Sequence, residues 1–462
     1  LFLSNNRHKI KKIKKVIKKF KNIYSNKLIQ SLSYKLTDGQ KKVISEINTD
    51  LKANLRMFRI LQGDVGSGKT IVAIIAAINS IESGYQCGLM APTGILAEQH
   101  FKLLNKLIVQ SNLKINIELL TGKTDSKKRK KILIDLENKK IDFLIGTHAL
   151  FQKTISFHRL GLIIIDEQHK FGVQQRIRFA KKGGVNCDVL LLSATPIPRT
   201  MMMSIYGDMD SSKLEEKPIH RQRILTLSKP ENKINELWPF LEKKIKDNEQ
   251  IFWVCPLIED SKKLNYSSTT RTFELVNKKF PKKVGFIHGA LNQEEKEIVL
   301  NKFLNNEISI LVSTTVIEVG VDFPNATVII IENSNKFGLA QLHQLRGRIG
   351  RGDKSGTCIL LFKNQLSQNA KARIQILKKS DDGFYIAEED MRLRGYGDIV
   401  GFKQSGIKLF KLADPVHHED LFKLAEENVN NLSNSRINSS KYDFLLKLFD
   451  KVDLTDDERA SS

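Results

Sequence analysis

The chain has 462 residues, 41% of them hydrophobic, which is material for about three domains at roughly 150 residues each and excludes a disordered or collagen-like polymer. Its densest short apolar run, Ile71 to Ile78, holds eight residues, far below the roughly 18 of a membrane span, and Leu1-Phe2-Leu3-Ser4 leads into lysines rather than into the apolar core of a secretion signal. Membrane and secreted classes are thereby disfavoured. Lys and Arg number 75 against 51 Asp and Glu, a net charge of +24, which suits a polyanion partner such as nucleic acid or else reflects a Lys-, Ile- and Asn-rich bias of a whole proteome.

Residues 1–34 carry a basic connector. Ten Lys or Arg and no acid fall within the first 30 positions, and Ile10, Ile13, Ile17 and Phe20 recur at three- and four-residue spacing, with Val16 and Ile23 beside them. That spacing predicts one helix with an apolar stripe and a lysine face, the lysines being either solvated or turned toward phosphates. Residues 35–215 then alternate short apolar runs with helical stretches. Strands are predicted at Phe58–Leu61, Cys87–Met90, Ile115–Leu119, Asp142–Ile145, Leu162–Ile165 and Val189–Leu192, and helices after Lys69, at Leu96–Leu107 and at Lys127–Leu136. Such alternation means a parallel sheet covered on both faces.

A charged linker with Pro218 and Pro230 opens the next segment, 216–364. There the alternation restarts with strands at Ile251–Val254, Val284–Ile287, Ile310–Val312, Val328–Ile331 and Cys358–Leu361. Helices are predicted at Thr270–Lys279, Gln293–Leu304 and Ala340–Arg346. The C-terminal region, 365–462, reads as mostly helical and ends in an acidic patch. Cys87, Cys187, Cys255 and Cys358 are too scattered for a disulfide framework or a structural metal, and read as buried thiols of a cytoplasmic protein.

Gly63-Asp64-Val65-Gly66-Ser67-Gly68-Lys69-Thr70 fits G-x4-G-K-[ST] between a strand and a helix. Glycines let backbone N–H groups curl around phosphate oxygens at the electropositive start of a helix. Lys69 then reaches the terminal phosphates of ATP and Thr70 binds Mg2+. Asp166-Glu167 ends the apolar run Leu162–Ile165, where ligands bind in open α/β sheets. Asp166 is placed to hold Mg2+ and Glu167 to polarise the attacking water. Phosphoryl transfer also needs added positive charge, for which a guanidinium fork is suited. Arg348 and Arg351, three apart on one helical face, are the candidate arginine fingers, while Arg346 points elsewhere, toward DNA or an acid.

These motifs stand in the order found in superfamily 2 helicases and translocases, and the chain resembles the RecG family of branched-DNA helicases over about residues 35–410. Gln40 of Leu36-Thr37-Asp38-Gly39-Gln40 matches the adenine-reading glutamine. Gln168 in Asp166-Glu167-Gln168-His169 is the residue usual in RecG, where the translocase Mfd has Glu. The resemblance implies two tandem RecA-like α/β domains that close on ATP in the cleft between them, with movement along duplex DNA driven by closure. It places Gly320, Asp322 and Gln344, from motifs V and VI, on the nucleotide side. Pro92 and Thr93 (motif Ia), Thr121 and Gly122 (Ib), Thr147 and His148 (Ic) and Thr314 (V) are implied contacts to a tracked strand. A motor of this kind grips phosphates without reading bases. Ser193 and Thr195 of motif III couple the two sites. Arg394 and Gln404 match the translocation motif shared by RecG and Mfd.

Three positions depart from the family pattern. Gly94 replaces a Glu, Tyr396 a proline and Lys403 an arginine. The family's N-terminal wedge, an OB-fold, has no counterpart, so the chain reads as a motor core, either whole or cut from a longer protein. The expected activity is ATP-dependent, sequence-independent action on branched or duplex DNA by a monomer without structural metal. The alternatives are an Mfd-like translocase and a core that binds DNA without productive unwinding.

Overall fold

The computed structural model describes residues 14–152, 154–167, 184–194, 209–216, 224–256, 262–289, 291–314, 323–350, 354–363, 366–394, 421 and 424. Two sheets organise it, and every strand pairing in both is parallel. The first contains β1 (Phe58–Gly63), β2 (Gln86–Met90), β3 (Ile117–Leu120), β4 (Phe143–Gly146), β5 (Leu160–Ile165), β6 (Asp188–Ser193) and β7 (Asp210–Leu214), in the order β3-β4-β2-β5-β6-β1-β7. The second contains β8 (Leu225–Pro230), β9 (Gln250–Val254), β10 (Val284–Ile287), β11 (Ile310–Ser313), β12 (Ala326–Ile331) and β13 (Thr357–Phe362), in the order β10-β11-β9-β12-β13-β8. Apart from the edge strand β7, the two orders are one topology written twice.

The central strands show why they read as unbroken apolar runs. All six residues of β5 and of β12 are buried, because helices cover both faces. Successive side chains alternate between the faces. Leu162 and Ile164 join the core beneath the helix α3 (Lys69–Glu82), whereas Ile163 and Ile165 join a second core on the other side. In the second sheet Ile329 and Ile331 divide from Val328 and Ile330 in the same way.

Further helices in chain order are α1 (Ile23–Gln30), α2 (Asp38–Lys52), α4 (Gly94–Gln110), α5 (Ser126–Glu137), α6 (Trp238–Lys246), α7 (Lys262–Lys279), α8 (Gln293–Leu304), α9 (Leu339–Arg346), α10 (Gln368–Lys379) and α11 (Gly383–Arg394). The last two pack on α9, and α10 also meets β8. No helix among the described residues is long and apolar enough to cross a membrane. All four cysteines are buried as free thiols.

Two expectations need correction. The predicted connector helix is helical only over Ile23–Gln30. Residues 15–22 run without regular structure, and Lys14 makes an antiparallel bridge to Leu55. Burial departs from the expected stripe over Lys15–Lys18, where Val16 and Ile17 are exposed while Lys15 and Lys18 are buried; Phe20 of the stripe is buried as expected. Their ammonium groups both contact Asp188 Oδ2, at 2.7 and 2.6 Å, and Asp188 also accepts from Met57 N at 2.7 Å. One buried carboxylate therefore overrides the helical spacing, because two paired ammoniums cannot be left on an apolar helix face. Residues 1–13 lie outside the described residues. The charged segment read as linker, in turn, supplies strand β8, which extends the second sheet beside β13.

Candidate nucleotide site and its surroundings

β1 lies between β6 and β7 and delivers Gly63 at its C-terminal end, with α3 starting at Lys69. In the connecting loop Gly66 and Gly68 have φ of 80° and 86°, a left-handed region that glycine enters without penalty. A Cβ on Gly68 would also collide with Gln40 Nε2. Lys69 is buried, and its ammonium group donates to Gly63 O at 2.8 Å and Asp64 O at 2.9 Å. Thr37 and Gln40 form a reciprocal cap at the start of α2, as expected of Thr followed three positions later by Gln. Gln40 Oε1 is used in that cap, and its Nε2 donates to Ser67 O at 3.0 Å. The cap therefore braces the loop.

Asp166 and Glu167 follow β5, and Glu167 has a φ of 48°, uncommon for a residue other than glycine. Asp166 Oδ1 accepts from Glu167 N at 2.9 Å, and Oδ2 lies 2.8 Å from His100 Nε2. Burial opposes the Asp166 charge, but the hydrogen bond and charge of His100, together with Lys69 and the Glu167 N–H, hold its carboxyl below the ordinary range. In the second sheet Glu332 follows β12. It accepts from Trp253 Nε1 at 2.8 Å and from Thr272 Oγ1 at 3.2 Å. Burial raises its carboxyl above the ordinary range despite these donors.

The second domain touches the loop through α9 and the turn after it. His343 Nε2 is 2.8 Å from Asp64 Oδ1, and a Cβ on Gly347 would lie 3.0 Å from Val65 Cβ. Arg346 pairs with Asp381 at 3.0 Å and donates to Ser380 O at 2.9 Å, and its Nη2 lies 2.9 Å from His343 Nδ1. Of the two directions open in sequence, it takes the acid. Arg348 is buried, but it lies in the turn after α9 rather than on the helical face that its spacing from Arg351 predicts, because the helix ends at Arg346 with Gly347 as its cap; Gln344 is half-buried.

Sequence reasoning missed His100 and His343. His100 sits at the spacing of Leu96 and Leu104, both buried on α4, so a lone polar residue within a core stripe was the available signal. His343 precedes Arg346 by three positions, one helical face.

Thr93 caps α4, accepting from Leu96 N at 3.4 Å. Pro92 is half-buried and Gly122 exposed, whereas Thr121, Thr147, Ser193 and Thr314 are buried at strand ends or the loops after them. A Cβ at Gly94 would stand 3.4 Å from Glu297 Oε1, and Glu297, on α8 of the second domain, pairs with Lys123 of the Thr121 loop. A Glu at position 94 would bring a second carboxylate to that pair, which gives the departure a physical reason. Thr195, Gly320, Asp322, Arg351 and Gln404, with Gln168, Tyr396 and Lys403, lie outside the described residues, as do the side chains of His148 and Arg394.

Three family models match in succession: DEAD/DEAH box helicase over residues 37–204, helicase conserved C-terminal domain over 232–353, and ATP-dependent DNA helicase RecG, domain 3, C-terminal, over 380–451. The ATP-dependent DNA helicase RecG of Bacillus subtilis is 44% identical over 416 residues, 90% of this chain and 60% of the relative. RecG of Thermotoga maritima is 44% identical over 414 residues, 89% of this chain and 53% of the relative. The chain thus spans a little over half the length of these relatives. Among solved structures, RecG bound to a three-way DNA junction superposes with a TM-score of 0.78 at 40% identity, over 91% of this chain and 55% of that one. Dbp5 of S. cerevisiae bound to RNA and ADP BeF3, at 17% identity and a TM-score of 0.56 over 79% of this chain and 97% of that one, shares the fold.

Proposed function

The chain belongs to the RecG family of ATP-dependent DNA helicases, and from that premise we propose that it is an ATP-driven DNA motor of the cytoplasm, acting as a monomer on branched or duplex DNA without reading sequence. The observation that carries this reading is the seating of α9 and Gly347 against Asp64 and Val65. It sets the arginine-bearing turn of one domain on the glycine loop of the other, as a nucleotide shared between two domains requires.

The residues fit ATP with Mg2+. Ser67 Oγ is buried without a hydrogen-bond partner, and a phosphate oxygen would satisfy it. Among the described residues no cluster of three or more His, Cys, Asp or Glu could hold a metal alone. Thr70 and Asp166 would hold Mg2+ together with the phosphates, as suits a cation that keeps most of its waters. Bound there, it would neutralise phosphate charge. Lys69 is poised to exchange its two carbonyl partners for phosphate oxygens. Glu167 orients the attacking water, and Arg348 and Arg351 stabilise the charge that builds as the terminal bond breaks. Gln40 reads the adenine from its braced position, and Gln344, Gly320 and Asp322 complete the nucleotide side. The motif Ia, Ib, Ic and V residues hold the tracked strand, Ser193 and Thr195 couple it to the nucleotide, and Arg394 and Gln404 carry the translocation step. The match to the third-domain model of RecG favours this over an Mfd-like translocase.

Steady-state ATP hydrolysis without DNA, with single strand, with linear duplex and with a model fork tests the reading. Stimulation by fork above duplex is expected of a branched-DNA motor. Equal stimulation by fork and duplex would reduce it to a bare translocase, and hydrolysis indifferent to all DNA would overturn it.

A further inference from the structure

His100 belongs to none of the roles above, yet it makes a side-chain contact with one of the two residues assigned to the metal. Its ring is buried on α4, with Nε2 2.8 Å from Asp166 Oδ2. It also lines, with Thr70, a cavity of about 580 Å³ that reaches Asn301, Asn305 and Pro324 of the second domain. His100 thus contacts Asp166 and shares a cavity wall with Thr70.

The carboxylate of Asp166 has two torsions to fix. Glu167 N holds Oδ1 from the chain's own turn, which leaves rotation about that tether open. A donor on Oδ2 from a different element closes it. Helix α4 supplies that donor, and α4 is itself fixed by Leu96, Leu104 and Leu107 in the core of the first sheet. We propose that His100 is a positioning residue, which locks the Asp166 carboxylate in the orientation that receives Mg2+ beside Thr70. It touches neither nucleotide nor reacting atoms, and its effect passes entirely through Asp166. Outer-shell donors of this kind typically alter metal affinity by about 10–100-fold. The inference rests on the nucleotide site proposed above.

The test separates metal coupling from nucleotide binding and from folding. A fluorescent ADP analogue is titrated into wild type, His100→Leu and His100→Gln, once with Mg2+ and once with EDTA. The tightening produced by Mg2+ is expected to shrink about tenfold in His100→Leu. Affinity in EDTA, which reads the glycine loop and Lys69, should stay within about twofold. Gln can place an amide N–H near the position of Nε2, so His100→Gln should recover most of the coupling. In an Asp166→Asn background, His100→Leu should add no further loss. Unchanged Mg2+ coupling in His100→Leu would overturn the proposal. So would an equal loss of affinity in EDTA together with a lowered Tm, or an additive loss in the double variant, since each assigns His100 to packing. If wild type itself fails to bind the analogue, the nucleotide site falls; if wild type binds and His100→Leu behaves identically, only His100 loses its role.

Discussion

Apart from the edge strand β7, the two sheets repeat one strand order. β1 and β8 occupy one place in the shared order, β5 and β12 another, and the residue after each of the latter strands donates its N–H to a matching carbonyl: Asp166 N to Met90 O and Glu332 N to Val254 O, both at 2.9 Å. The next residue is left-handed in both, Glu167 at φ 48° and Asn333 at φ 46°. The chemistry diverges completely. After β1 comes a glycine loop, whereas β8 ends at Pro230 and enters the turn Glu231–Leu237. Asp166 is surrounded by His100 and Lys69 and is held as an anion, while Glu332 is enclosed by Trp253, Cys255 and Thr272 and burial pushes it toward the neutral form. The fold provides an acid and a bent turn at the strand end twice over; the hydrogen-bond partners and the Lys69 charge decide which copy is held as an anion.

Substitutions that touch the two halves unequally break this pairing apart. The largest effect is expected for Arg348→Ala, the arginine proposed to serve the first domain's site from the second. Hydrolysis should fall by about 10³ or more, with nucleotide affinity within several-fold, as measured by DNA-stimulated turnover and by equilibrium binding. Glu167→Gln comes next, with a loss of roughly 10²–10⁴ in turnover while ATP and DNA still bind; normal turnover would remove Glu167 from the chemistry. Gly68→Ala forces a left-handed alanine, at a cost of about 1–2 kcal/mol, against Gln40. Nucleotide affinity should drop about tenfold, the equivalent of roughly 1.4 kcal/mol, in a direct titration.

The smallest effect is reserved for the counterpart acid. A carboxyl raised in the folded state loses stability as pH climbs from its unfolded value to its folded one, then levels off. Glu332→Gln should flatten that slope and raise Tm at pH 8 by about 2–4 °C, with hydrolysis unchanged within about twofold. A collapse of hydrolysis in that variant would mean that the second acid takes part in turnover.

The alternating runs made both sheets legible from sequence, since strands buried on two faces leave an unbroken apolar signature. β7 and β8 were not, because they lie at sheet edges, and their alternating polar residues such as Ser212 and Lys229 look like loop. The glycine loop and the Asp166-Glu167 pair were legible as motifs. His100 and His343 were not, since each acquires its meaning from a partner at least 66 positions away. The connector failed for the same reason, because nothing local in residues 1–34 announces Asp188.

That last contact has a mechanical consequence. Lys15 and Lys18 fasten the connector to β6 of the first sheet through a single carboxylate, and breaking such a buried pairing costs about 3–5 kcal/mol. Further along, Arg346 and Asp381 tie the turn between α10 and α11 to α9 of the second domain. The connector and the α10–α11 turn are therefore fastened to different domains. Probes placed beside Lys15 and Asp381 would report, as a pair, on the distance between the two domains.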